Sequence, residues 1–248
     1  AGIVTAYELL NEGKKVLLID RDEEAELGGL AKWSFGGMFF VDSPLQRRLG
    51  MRDSIYTALR DWFSVANFEA HDHWPREWAT KYVHQCTDHI YKWLRQHGIG
   101  FFPVVHWVER GHHTPGNSYP RFHMVWGTGH GLTHTMRGHL LAHPKRDSHL
   151  QLLFRHRVTE IVQQNGTVTG VKGTNEQNNT EFTATGGVTV VAAGGMGGNI
   201  ERVKENWYKP WGSPPETILN GSHQYALGDL HDAVGQLNGN VTHLEHSW

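Results

Sequence analysis

Apolar side chains recur at helical spacing at Ile3, Val4, Ala6, Tyr7, Leu9 and Leu10, and Gly13 follows where a left-handed residue closes a helix. A helix over roughly residues 2–12 is expected. The run Lys15-Val16-Leu17-Leu18-Ile19-Asp20 does not alternate and ends in one acid, the pattern of a buried parallel strand with Asp20 at its carboxyl end. Helical patterns also cover residues 53–68, 76–98 (closed by Gly98 and Gly100) and 131–143. Residues 99–128 are rich in Gly, Pro, His and Trp and have no period, as in a lid or binding loop.

From residue 150 the pattern shortens. Leu150–Phe154, Val158–Gln163, Thr167–Gly173, Glu181–Thr185 and Val188–Ala192 read as strands between the turn signals Asn165-Gly166, Asn178-Asn179 and Gly186-Gly187. They predict a meander and a final parallel strand. Beyond Asn199 a Pro- and Gly-rich hinge leads to a helix beginning near Gly228-Asp229.

Helix, tight turn, strand and acid form the second half of a dinucleotide-binding βαβ unit, in which the acid meets a ribose hydroxyl. Gly2 fits the last glycine of the phosphate-binding turn, whose first strand and earlier glycines are not within the sequence. The expectation is therefore a piece of a longer protein. An ordinary αβ pair of any α/β domain is the alternative. Two glycine pairs, Gly28-Gly29 and Gly36-Gly37, follow the acid, and such pairs let backbone approach a flat ligand closely.

The segments LGGLAKWSFGGMFFVDSPLQRRLGMRDS, PRFHMVWGTGHG and VVAAGGMGGNIERVKENW resemble the FAD-binding dehydrogenases of the fumarate reductase and 3-ketosteroid dehydrogenase flavoprotein group. The resemblance runs over nearly the whole chain. It implies an α/β fold with a Rossmann-like FAD-binding domain, a parallel sheet with a β-meander, and the start of a capping domain. Residues 1–208 would be the FAD-binding domain, with a helical and loop insertion at about 43–147. Residues 209–248 would begin the substrate-capping domain.

The resemblance further implies that Asp20 binds the adenosine ribose. Gly28, Gly29, Leu30, Ala31, Ser34, Gly36 and Gly37 would wrap the pyrophosphate and isoalloxazine, Val158 would contact adenine, and Ala193, Gly194 and Gly195 would pass by the dinucleotide. Asp229 would open a helix facing the flavin and itself touch the cofactor. Some relatives attach FAD through a His six residues before the second glycine pair; Leu30 stands there in this chain, so noncovalent FAD is expected. The substrate would be a small molecule, such as a ketosteroid or unsaturated acid, exchanging hydride with FAD at a C–C bond beside an activating group. No catalytic residue is assigned.

Composition narrows the partners. The 248 residues carry a formal net charge of −2, which gives no nucleic-acid footprint, and no apolar run approaches a membrane span. A cytoplasmic protein, with homo-oligomers open, is the expectation. The single cysteine, Cys86, allows no internal disulfide and fits a buried structural thiol. Nineteen histidines raise a metal hypothesis at His71-Asp72-His73, His112-His113 and the pairs His130/His134 and His139/His143. The last two pairs point to opposite sides of one helix and cannot join, and no metal is expected. The ten tryptophans are expected mainly in the core or in pocket walls. Two other functions stay open: a truncated structural or interaction module without cofactor, and a nicotinamide-dependent enzyme, in which the second glycine pair and the meander would have no role.

Overall fold

The computed structural model describes residues 1–105, 107–111 and 114–246. The chain divides into two compact units, residues 1–30 with 137–248, and residues 31–136.

In the first unit, helix α1 (Gly2–Asn11) buries Ile3, Ala6 and Leu10 on one stripe, as the period requires. Gly13 closes it at φ +70°, with Lys14 N donating to Leu9 O. Strand β1 (Val16–Ile19) follows and pairs in parallel with β4 (Leu150–Leu153), Val16 opposite Leu150 and Ile19 opposite Leu153. The meander is β5 (His156–Gln164), β6 (Thr167–Asn175) and β7 (Thr180–Thr185), all antiparallel, with α8 (Ile200–Glu205) and α9 (Asp229–Gln236) after it.

The expected strand at Val188–Ala192 is corrected: it forms no ladder among the described residues. Val188, Val190 and Val191 are 83%, 57% and 44% exposed. An apolar β-pattern becomes a strand only where a neighbour accepts its hydrogen bonds, and here none of the described strands pairs with it.

The second unit is built around short strands β2 (Gly37–Phe39) and β3 (Phe122–Met124), paired antiparallel. Its helices are α2 (Pro44–Arg48), α3 (Ile55–Ala66), α4 (His73–Gln85) and α5 (Lys92–Gln96). Helix α6 (Thr128–Leu141) runs on into the first unit, where α7 (Arg146–His149) precedes β4. The single helix expected over 76–98 is instead α4, a π-helical stretch Cys86–Tyr91 and α5. Phe40 is fully buried in edge-on contact with Tyr91, Phe101 and His123.

Cys86 is buried, as expected of a structural thiol, and burial pushes its pKa up. Tryptophans depart from expectation: Trp33, Trp74, Trp78, Trp107, Trp126 and Trp211 are exposed. Several stack on neighbouring rings instead of entering the core; Trp126 lies on Phe102 at 5.6 Å and Trp211 packs edge-on against Tyr208 at 5.5 Å.

Candidate functional site

The acid that ends β1 is held by its own turn. Asp20 N donates to Leu153 O and His156 N donates to Asp20 O, so both its backbone groups extend the β4 side of the sheet. Its Oδ1 accepts from Asp22 N at 2.9 Å. The carboxyl is half-buried, and this burial, together with the nearby Asp22 charge, raises its pKa; the Asp22 N–H and His223 pull the other way. An acceptor poised at a strand's carboxyl end suits a ribose hydroxyl.

The first unit also offers bare backbone. Gly28 and Gly29 have φ of +137° and +55°, and Gly194 has φ +77°. Apart from their own chain neighbours, no atom lies within 4 Å of where a side chain would begin on Gly29, Gly194 or Gly195. Ala193 is exposed, and a Cβ on Gly2 would sit 3.6 Å from the Cβ of Ala192. Such small residues let N–H groups reach a phosphate, and the dipole of α1 favours an anion at its start. Leu30 is 46% exposed and brings no nucleophile that could bond to a flavin.

Val158 lies on β5 opposite Gly173, next to a register shift between Val158 and Glu160. Asp229 occupies the first turn of α9 and binds Arg157 of β5, with Arg157 Nε 2.9 Å and Nη2 2.8 Å from its Oδ2. Sequence spacing could not reveal that partner.

The second unit holds the remaining candidates. Ser34 Oγ donates to Ala31 O at 2.9 Å and accepts from Gly36 N at 3.1 Å, and Ser34 O accepts from Gly129 N at 2.9 Å. A Cβ on Gly36 would lie 2.7 Å from Gly129 N, and one on Gly37 would run into the Phe122 ring. The pair is therefore demanded by packing within the unit. A deeply buried charge cluster lies at the start of β3: Arg121, 0% exposed, bonds both oxygens of Asp53 at 2.7 and 2.8 Å and Asp61 Oδ2 at 2.9 Å. Beside it, Ser43 Oγ and His123 Nε2 are 2.7 Å apart. His123 Nδ1 lies 2.7 Å from Arg121 O and therefore carries its proton; Nε2 then accepts from Ser43, which is fully buried and also caps α2. That pair is structural.

His130 and His134 stack at 6.0 Å, while His139 and His143 pack on Tyr7. Among the described residues no three His, Cys, Asp or Glu side chains gather as a metal site; His112 and His113 lie outside those residues.

The model for the FAD binding domain family matches residues 1–248. The chain belongs to that family. Over its whole length, this FAD binding domain is 39% identical to a KsdD-like steroid dehydrogenase of Mycolicibacterium smegmatis and 37% identical to one of Mycobacterium tuberculosis. It spans 48% and 46% of those relatives, about half their length. Among solved structures, a 3-ketosteroid-Δ4-(5α)-dehydrogenase of Rhodococcus jostii in complex with 4-androstene-3,17-dione matches 98% of this chain and 53% of its own at a TM-score of 0.77 and 18% identity. An open flavocytochrome c3 fumarate reductase matches 94% of this chain and 43% of its own, with TM-score 0.68 and 16% identity. The fold of an FAD binding domain is thus shared with both. No helix of the described residues is long and apolar enough to cross a membrane.

Proposed function

We propose that this FAD binding domain serves a dehydrogenase or reductase acting on a C–C bond beside an activating carbonyl, with a ketosteroid as substrate. The observation that carries the reading is the 39% identity, over the whole chain, to a protein named a KsdD-like steroid dehydrogenase. In this reading Asp20 accepts from the adenosine ribose, while Gly2, Gly28, Gly29, Ala193, Gly194 and Gly195 leave backbone free for the pyrophosphate. Leu30, Ala31, Ser34, Gly36 and Gly37 line the flavin, Val158 meets adenine, and Asp229 fixes α9 through Arg157. Residues 209–248 lead into the substrate-capping part, and the protein works in the cytoplasm. When bound, FAD would accept or deliver hydride, and this chain's residues place and orient it.

The experiment is anaerobic mixing of the flavin-loaded protein, expressed from its complete coding sequence, with a 3-ketosteroid panel and with succinate. Bleaching of the yellow flavin band by a ketosteroid supports the reading. Bleaching by succinate alone moves the substrate to the dicarboxylic acids, and bleaching by neither refutes the assignment of substrate class.

A further inference from the structure

Two residues past Asp20, Asp22 is only 8% exposed and receives a side chain from far along the sequence. His223 Nε2 stands 3.1 Å from Asp22 Oδ2. His223 Nδ1 accepts from Tyr225 N, which places the imidazole proton on Nε2 and makes it the donor to Asp22. The other Asp22 oxygen accepts from Glu23 N at 2.8 Å, and Asp22 N is the group that holds Asp20 Oδ1. Arg155 N also donates to Asp22 O, so Asp22 is fixed at four points, and through its N–H it orients the Asp20 carboxylate.

The same short turn grips the strand end a second time. The Tyr225 ring lies 4.5 Å beneath the Arg21 guanidinium, whose Nε and Nη2 bond Glu176 at 2.8–3.2 Å. The turn is itself braced: Ala226 N donates to His223 O and Gly198 N donates to Ala226 O. Residues 223–226 therefore strap both Arg21 and Asp22, on the residues that directly follow the ribose-binding acid.

We infer that His223 is a positioning residue: by donating to Asp22 it holds the turn that aims Asp20 at the adenosine ribose. This rests on the proposed role of Asp20. Without the imidazole, one oxygen of a buried carboxylate loses its donor beside a second carboxylate, and the turn relaxes to rehydrate it. Asp20 then still carries its charge but no longer meets the 2′-hydroxyl squarely. His223→Gln keeps an N–H donor at similar reach.

The test compares dissociation constants of FAD and of its adenosine 2′-deoxy analogue for the apoprotein made from the complete coding sequence, followed by flavin fluorescence. Wild type is expected to prefer FAD by about tenfold, the order of one hydrogen bond to a charged acceptor. Asp20→Ala removes the preference. His223→Ala removes it too, and His223→Gln restores most of it. A loss of affinity by His223→Ala that is equal for the two ligands, leaving the preference at wild-type size, overturns the inference while Asp20 keeps its role. An Asp20→Ala protein that still prefers FAD overturns the ribose reading itself. Melting temperatures of the variants identify the folded fraction, so the ratio is read on native protein only.

Discussion

Removing the Arg121 guanidinium strips four charge-assisted bonds at once: two to Asp53, one to Asp61 and one to Asn117 Oδ1 at 2.8 Å. Arg60, also bonded to Asp61 at 3.1 Å, completes a cluster of two cations and two carboxylates, so the charges balance. Arg121→Met keeps the volume but leaves Asp53 and Asp61 buried with too few partners, and breaking a buried pair in this way costs about 3–5 kcal/mol. For a chain of this size that lowers the melting temperature by roughly 10 °C. The triple variant Arg121→Met, Asp53→Asn, Asp61→Asn removes the charges together and should recover most of the loss. The cluster also predicts an acid limit. Burial pushes the Asp61 carboxyl up, but hydrogen bonds from Ser118, Arg121 and Arg60 outweigh it and hold the pKa below the usual 3.8. Its contribution is therefore full above pH 3.8 and lost as pH falls through the lowered value. Thermal melts by circular dichroism of the three proteins between acid and neutral pH are the assay. An Arg121→Met protein within about 1 kcal/mol of wild type, or a triple variant no better than the single, would refute the reasoning.

In the proposed role, Asp20 trades stability for binding. Its folded pKa is raised, so the stability it contributes is present below pH 3.8 and lost as pH rises through the folded value. Asp20→Asn should accordingly melt higher than wild type as apoprotein at neutral pH, yet bind FAD more weakly; a lower apoprotein melting temperature would contradict this. Because position 30 carries Leu and no nucleophile, acid precipitation of the loaded protein should leave the flavin in the supernatant, and colour in the pellet would show a covalent bond. A polypeptide limited to residues 1–248 should self-associate and hold little FAD, because Val188, Val190 and Val191 are exposed and β1 is paired on one side only among the described residues. Gel filtration that returns a yellow monomer would sink that expectation.

Local periodicity made α1 legible, since Ile3, Ala6 and Leu10 share a stripe, and the apolar run ending at Ile19 marked β1 as a parallel strand, but not a buried one: none of its four residues is buried and Leu17 is 38% exposed, because the run pairs on one side only among the described strands. The meander was legible for the same reason, its turns being marked by Asn165-Gly166 and Asn178-Asn179. Strands β2 and β3 were not, because three-residue strands carry no period and β3 sits inside a segment rich in turn-forming residues. The apolar run at Val188–Val191 misled for a different reason: pattern encodes a preference for the extended state, whereas a ladder also needs a partner. Charge partners were invisible altogether. Asp22 with His223, Arg157 with Asp229 and Arg121 with Asp53 join residues far apart in sequence, and no spacing rule connects them. Glycines divide in the same way. Gly29, Gly194 and Gly195 border open space and suit a ligand, while Gly36 and Gly37 are explained by Gly129 and Phe122 pressing against them.

The claim on which the rest depends is that the protein made from the complete coding sequence holds FAD with its adenosine ribose on Asp20. The direct measurement is a fluorescence and calorimetric titration of the apoprotein, made from the complete coding sequence, with FAD, NAD and NADP, repeated for Asp20→Ala. Saturable, stoichiometric binding of FAD is expected, with none of comparable strength for the nicotinamide dinucleotides and a weakening of about tenfold or more in the variant. A protein that takes up NAD in preference to FAD, or whose FAD affinity is indifferent to Asp20→Ala, would contradict it.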